Sequence, residues 1–299
     1  MATTTKKSTK AKTKTTKAAA TKKPATKKAT RSVSASVVTT TSKSAPSMLS
    51  LRKWHIVSAV AFVLLALLAG VMMGSSSYQT TVGLWARDDL ASIDTTVFAP
   101  AVHVLYDIEV RWLVVATMLV SAVLPLLYIT KLEQAYSTYV RNTRMVPYRW
   151  LDLGVTAALM VETIALLSGV QDLFVLKLMG GLMLVTCLLG LVAERQNNAS
   201  DRPVWSAYAV SLFSGVLPWV LLAAYAVSTV VYGAVRSPWY VYALYASSLA
   251  GFSLIAWNQR QQFKKSGTSA SYTVVERNYA VIGVLTKVAF AAILIAGIR

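Results

Sequence analysis

The chain has 299 residues, of which 55% are hydrophobic and only 14% charged. Its mean hydropathy is +0.53. An ordinary soluble chain carries about 25% charged residues, so this composition excludes a wholly disordered polypeptide and argues against a soluble enzyme. The formal charge of +18 looks out of place in so apolar a chain. It resolves on division: residues 1–53 carry 14 Lys and Arg and no acid, and the remaining 246 carry 16 bases and 12 acids. A basic tail precedes a nearly neutral, apolar body. Cys187 is the single cysteine, which excludes an internal disulfide framework and a cysteine-rich metal site. His55 and His103 are too few for a histidine metal cluster. No catalytic or metal-binding residues are expected.

Residues 1–50 are expected to form a disordered cytoplasmic tail, and residues 51–299 the folded domain. The tail is almost only Ala, Thr, Ser, Lys and Pro, as in TKKPATKKAT. Such a stretch cannot bury enough apolar surface to offset its ordering entropy. It is too long and too dispersed for the n-region of a cleaved signal peptide. Its lysines have three readings. They hold the N-terminus in the cytoplasm by the positive-inside rule. They bind anionic lipid headgroups, at roughly 1 kcal/mol per base near the surface. They bind nucleic acid, the weakest reading, because no aromatics interleave and no folded motif is present.

A helix needs about 20 apolar residues to cross a bilayer. Seven stretches qualify: Trp54–Gly74, Trp112–Thr130, Trp150–Val170, Leu173–Ala193, Val204–Gly233, Trp239–Trp257 and Tyr279–Ile298. With the N-terminus inside, the inner loops hold Lys131, Arg141, Arg144, Arg195, Arg202, Arg260, Lys264, Lys265 and Arg277. The outer segments hold only Arg87, Arg111, Arg236 and Arg299. The asymmetry predicts a cytoplasmic N-terminus and an extracellular C-terminus. The predicted fold is therefore an all-α membrane protein, a seven-transmembrane-helix bundle. The first outer loop, Ser75 to Asp107, carries TTV at 80–82 and at 95–97 around a turn-like ARDD, which predicts a short β-hairpin. A lone hairpin is marginal, so it is expected to pack on the bundle or on a second subunit. Pro125 and Pro218 fall inside spans and are expected to kink them. The Asn198–Ala199–Ser200 sequon falls on the inner side, and Cys187 reads as core.

Ionisable groups inside a membrane are costly, which makes them functional candidates. Four stand out: Asp152, Glu162, Lys177 and Lys287. Lys287 lies in the middle of the last span, about 16 Å from its inner end. It reads either as a lysine paired for packing or as one that forms a Schiff base with an aldehyde. Ala280, Gly283 and Ala291 on its helix face leave room for a bulky ligand. Asp152 reads either as an interfacial cap beside a snorkelling Arg149 or as the anion that keeps such a Schiff base charged. Glu162 and Lys177 flank the turn between the third and fourth spans at similar depth, which predicts a structural ion pair. A proton-handling role is the lesser reading of Glu162.

Four segments carry a resemblance to a known family: LYDIEVRWLV (105–114), YRWLDLGVTAALM (148–160), GVLPW (215–219) and ERNYAVIGVLTK (276–287). With the lysine in the last of seven spans and the N-terminus inside, the chain from about Leu51 onward resembles the heliorhodopsins. The third and last spans are the specific ones. The resemblance implies that Lys287 carries all-trans retinal as a protonated Schiff base, that Asp152 is its counterion, and that Trp150, Trp219 and Gly283 lie at the chromophore. It implies a slow photocycle without ion pumping, a sensory or regulatory role with a cytoplasmic signalling partner, and a homodimer with the first outer loop at its interface.

The chain also departs from the family. Asp152–Leu153 stands where Glu followed by Tyr is usual, and Gly283 where serine is usual. Phe62, Leu65 and Pro125 stand where a His, Gln and His cluster is common. Without that cluster a released proton is expected to find no local histidine acceptor, and deprotonation is expected to be slow or incomplete. Two other readings remain: a light-driven proton pump or channel, and a retinal-free membrane scaffold with a basic cytoplasmic arm. Against a pump, Asp152 and Glu162 are ten residues apart, about 80° off a common helix face. For signalling, the 263–275 loop and the tail are the segments placed to engage a partner.

Overall fold

The computed structural model describes residues 48–88, 97–233, 236–264 and 271–299. Of the expected tail, residues 1–47 lie outside these, as do the centre of the hairpin turn and residues 265–270 of the last loop. The described residues contain seven helices long and apolar enough to cross a membrane. They are α1 (Met48–Met72), α2 (Val110–Ile129), α4 (Pro147–Leu167), α5 (Leu173–Asn198), α6 (Ser206–Tyr232), α7 (Trp239–Lys264) and α8 (Tyr272–Gly297). The segment joining α2 to α4 adds a short helix, α3 (Glu133–Thr138), and a π-helical turn at Tyr139–Thr143.

Burial and local chemistry set several of the helices. The α1 positions Leu51, His55, Ser58, Phe62, Ala66 and Ala69 are buried. They recur at three and four residues and so share one face. Pro147 opens α4, where a missing N–H costs nothing. Gly169, with φ +92, supplies the left-handed turn after α4. Asp172 then caps α5 by accepting the Val175 N–H at 3.0 Å. The tight turn sets α4 antiparallel to α5.

Helix α1 packs on α2 and α8, α4 on α2 and α5, α5 on α6, and α7 on α8. Helices α1, α4, α6 and α8 begin at one end of the bundle, called the near end below. The main apolar core runs through α1, α2, α4, α5 and α8, around Met118, Ile164, Met179, Phe290 and Leu294.

The predicted hairpin is present as β1 (Ser77–Asp88) and β2 (Val97–Glu109), antiparallel with Ser77 opposite Glu109 and a bulge at Thr80/Thr81. Thr80 is buried and donates to the Tyr106 carbonyl at 2.6 Å. The Thr81 N–H leaves the ladder and donates to the Gln171 carbonyl at 2.8 Å. The bulge thus pins the hairpin to the α4–α5 turn. The strand β2 runs straight into α2, so LYDIEVRWLV straddles strand and helix rather than lying within a span.

Four helix ends at the near end extend by a turn or more beyond the predicted spans. Helix α1 begins at Met48 rather than Trp54, α5 continues past Ala193 to Asn198, α7 continues past Trp257 to Lys264, and α8 begins at Tyr272 rather than Tyr279. The added turns carry Glu194, Gln262 and Glu276, all buried. A hydropathy reading stops at such residues; the bundle keeps them inside because each has a partner.

Candidate functional site

Lys287 projects from α8 into the bundle, where its side chain is 6% exposed. Its Nζ lies 3.0 Å from Oδ2 of Asp152 on α4 and 5.3 Å from the centre of the Phe62 ring on α1. The amine is therefore held by one carboxylate and one aromatic face, a pairing a buried cation requires. Asp152 is five residues into its helix and Lys287 fifteen into its own. They meet because α8 projects about 15 Å farther toward the near end than α4 does.

One turn before Asp152, Arg149 forms a second ionic cluster. Its Nη2 donates to both oxygens of Glu194 on α5, at 2.9 and 3.0 Å, and its Nη1 pairs with Glu276 on α8. Glu194 is filled further by Trp150 Nε1 at 2.5 Å, Gln262 Nε2 at 2.8 Å and the Tyr272 hydroxyl at 3.0 Å. The guanidinium also lies 3.9 Å from the centre of the Tyr279 ring. Four side chains from α4, α7 and α8 thus satisfy one carboxylate on α5. The sequence reading missed this cluster, and it treated Arg149 only as a snorkelling base. A signal was available: Arg149, Glu194 and Glu276 each stand within a turn or two of a span end, where charges of opposite sign can meet across helices.

Two internal spaces adjoin the pair. A cavity of about 60 Å³ is bounded by His55, Ser58, Phe62, Ser121, Asp152 and Lys287, with Ala280 and Gly283 beside them. A Cβ added at Gly283 would meet nothing within 4 Å, so the wall next to Lys287 is open. A larger, mostly apolar cavity of about 310 Å³ lies between α6 and α7 and is bounded by Trp150, Cys187, Trp219 and Phe252. Trp150 and Cys187 belong to the same apolar cluster as Leu153 and Tyr279, which border the smaller cavity. The sites named from sequence therefore divide: Lys287, Asp152 and Gly283 face the first space, and Trp150 and Trp219 the second.

His55 corrects one expectation. It stands two helical turns before Phe62 on the same face of α1 and borders the cavity that holds Lys287 and Asp152. A histidine therefore lines the same cavity, about two helical turns from the pair, although not at Phe62, Leu65 or Pro125.

Glu162 and Lys177 form a separate pair across α4 and α5, with Nζ 2.7 Å from Oε2. Gly180 makes room for the carboxylate: an added Cβ would fall 3.0 Å from its carbon. The pair lies away from both cavities' linings.

An amine buried beside one carboxylate, with an open glycine wall and an aromatic apolar cavity behind it, suits a long apolar aldehyde bound through lysine. In a seven-helix membrane bundle these features define the retinal-protein class. A family model described as Heliorhodopsin matches residues 51–298. The chain belongs to the heliorhodopsin family, and so is a multi-pass membrane protein of the retinal photoreceptor type. Among solved structures it is similar to the transmembrane domain of the Salpingoeca rosetta rhodopsin phosphodiesterase, with a TM-score of 0.56, 14% identity and 83% of each chain covered. At that identity the likeness speaks for the fold alone. No curated protein matches the chain.

Proposed function

We propose that the protein is a photosensory receptor in which Lys287 carries all-trans retinal as a Schiff base at Nζ and Asp152 holds its positive charge. Retinal supplies light absorption and a bond rotation that displaces Nζ. The observation that carries this reading is the 3.0 Å contact between the buried Lys287 and Asp152. Trp150 and Trp219 bound the apolar space toward which the polyene would extend. The near end faces the cytoplasm, in keeping with the basic loops, and the C-terminus is extracellular.

The reading includes no ion pumping, and the placement of the carboxylates supports it. Glu162 pairs with Lys177 and lies outside the lining of the Lys287 cavity, so it is not placed as a second carboxylate for Lys287. Displacing Nζ breaks the contact with Asp152. The Arg149 cluster, one turn away, then feels the unbalanced carboxylate through α4. The change passes to the near end, where Glu194 and Glu276 tie α5 and α8 to α4. The cycle is slow, the receptor works as a homodimer through the hairpin, and its tail rests on anionic lipid headgroups while a cytoplasmic partner reads the near end.

The test is a visible absorption spectrum after expression with all-trans retinal, beside Lys287→Ala. A band in the parent and none in the variant is expected, with all-trans isomer on extraction. No band in either would sink the reading in favour of a scaffold. Illuminated vesicles are expected to show no pH change; a sustained one would establish a pump.

A further inference from the structure

The smaller cavity beside Lys287 is separated from a third space by a single layer of side chains. This third space is a cavity of about 710 Å³ at the near end, bounded by Arg52, Lys131, Glu133, Gln134 and Arg141 among others. His55 and Tyr128 border both spaces. They are the shared wall. His55 is 6% exposed. Its ring meets Tyr128 and Tyr136 edge-on, with centres 5.1 and 4.9 Å away, and the two tyrosines stack at 4.3 Å. Among the described residues, neither Nε2 of His55 nor the Tyr128 hydroxyl has a hydrogen-bond partner. Leaving a buried polar atom unpaired costs about 1–3 kcal/mol, so its retention in a wall between two cavities calls for an explanation.

We propose that His55 is the proton acceptor and the gate between the Lys287–Asp152 pair and the near-end cavity. The proposal rests on the photoreceptor reading for the event that drives the proton; the gate is a property of the side chains alone. The N–H bond at Lys287 Nζ breaks and leaves its electron pair on that nitrogen. A new N–H bond forms on the lone pair of His55 Nε2, and the imidazole becomes an imidazolium. Recovery reverses both changes, so no other reactant is consumed. Phe62 touches the lysine, and His55 lies about 10 Å nearer the near end. The span between them is bridged by Ser58, Ser121 and a cavity with room for a short water chain.

The groups that face His55 favour it as acceptor. Tyr128 comes from α2 and Tyr136 from α3, the latter donating to Glu276 at 3.4 Å. Glu276 and Arg149 are already paired with each other, and Asp152 with Lys287. On the far side Arg52 is paired with Glu133 at 3.0 Å, and Lys131 and Arg141 are cations. In the wall shared by the two spaces, His55 Nε2 is a buried ring nitrogen with no hydrogen-bond partner among the described residues, and so has a site free for a proton.

The experiment uses the full chain in two forms. Without retinal, Ser121→Cys is made with Cys187→Ser, and its labelling by a small charged thiol reagent is timed. Labelling is expected to be slow in that background and with His55→Phe added, and severalfold faster with His55→Ala. Equal rates in all three would overturn the gate. Thermal midpoints of the variants identify any that are misfolded. With retinal, time-resolved absorption follows the shift from visible to near-ultraviolet after a flash. His55→Phe is expected to slow it about a hundredfold, and added imidazole to restore it in His55→Ala alone. An unchanged rate in both variants would overturn the acceptor role. A parent with no visible band would sink the photoreceptor reading instead, and the labelling result would still decide the gate.

Discussion

Arg149 and Glu194 meet as a two-pronged ion pair, with Nη2 2.9 Å from one carboxylate oxygen and 3.0 Å from the other. Both side chains are buried, and three neighbours complete the carboxylate. Removing one member of a buried pair leaves the other uncompensated, at about 3–5 kcal/mol. Arg149→Ala is therefore expected to lower the thermal midpoint by roughly 10 °C. Circular dichroism on the retinal-free protein checks this, and a midpoint within two degrees of the parent would contradict it.

Asp152→Asn keeps the shape of the side chain and removes its charge. Nζ of Lys287 then loses its one carboxylate partner at 3.0 Å, and the charged form of the amine loses its stabilisation. At neutral pH the retinal-loaded variant is expected to absorb less in the visible and more in the near-ultraviolet. Asp152→Glu, which keeps the charge, is expected to retain the visible band. Similar spectra for the Asn and Glu variants would deny Asp152 the counterion role.

Lys177 has a side chain 57% exposed, in a pair apart from the Lys287 cavity. Such exposed pairs contribute about 0–1 kcal/mol. Glu162→Gln is expected to leave the absorption maximum and the photocycle unchanged within error. A large change in either would bring Glu162 back as a proton-handling group.

Gly190 lets α5 approach the Trp150 indole; an added Cβ would fall 2.6 Å from its ring. Gly190→Ala must therefore displace an indole that donates to Glu194 and borders the larger cavity. A loss of about 1–3 kcal/mol is expected, together with a shifted absorption maximum. Full stability with an unshifted maximum would show that the ring moves freely.

The seven spans were legible because long apolar runs have few alternatives in a membrane, and the hairpin because TTV at 80–82 carries strand chemistry; the turn was misplaced, since Ala86, Arg87 and Asp88 of ARDD continue β1 opposite Ala99, Phe98 and Val97, and the rest lies outside the described residues. Lys287 was legible as a charge with nowhere to escape. The depth match with Asp152 was not, because it depends on where α4 and α8 begin, and those starts are set by Pro147 and by buried partners for Glu276. The Arg149 cluster was hidden for the same reason. Its members come from distant helices, and no periodicity within one helix reports a contact between three. His55 was passed over because it was weighed only as a metal ligand, and its place between two cavities appears only once α1, α2 and α3 are packed together.

The near-end cavity has an electrical consequence. A space of about 710 Å³ that reaches His55 brings the near-end medium into the bundle, so the layer between that medium and the Lys287 cavity narrows to the wall formed by His55 and Tyr128. A membrane voltage falls across insulator rather than across water. A charge that crosses the His55 layer therefore senses a disproportionate share of it, against a full-membrane value of about 2.3 kcal/mol per elementary charge per 100 mV. On the proposal that His55 takes the Lys287 proton, voltage is expected to bias that proton's position.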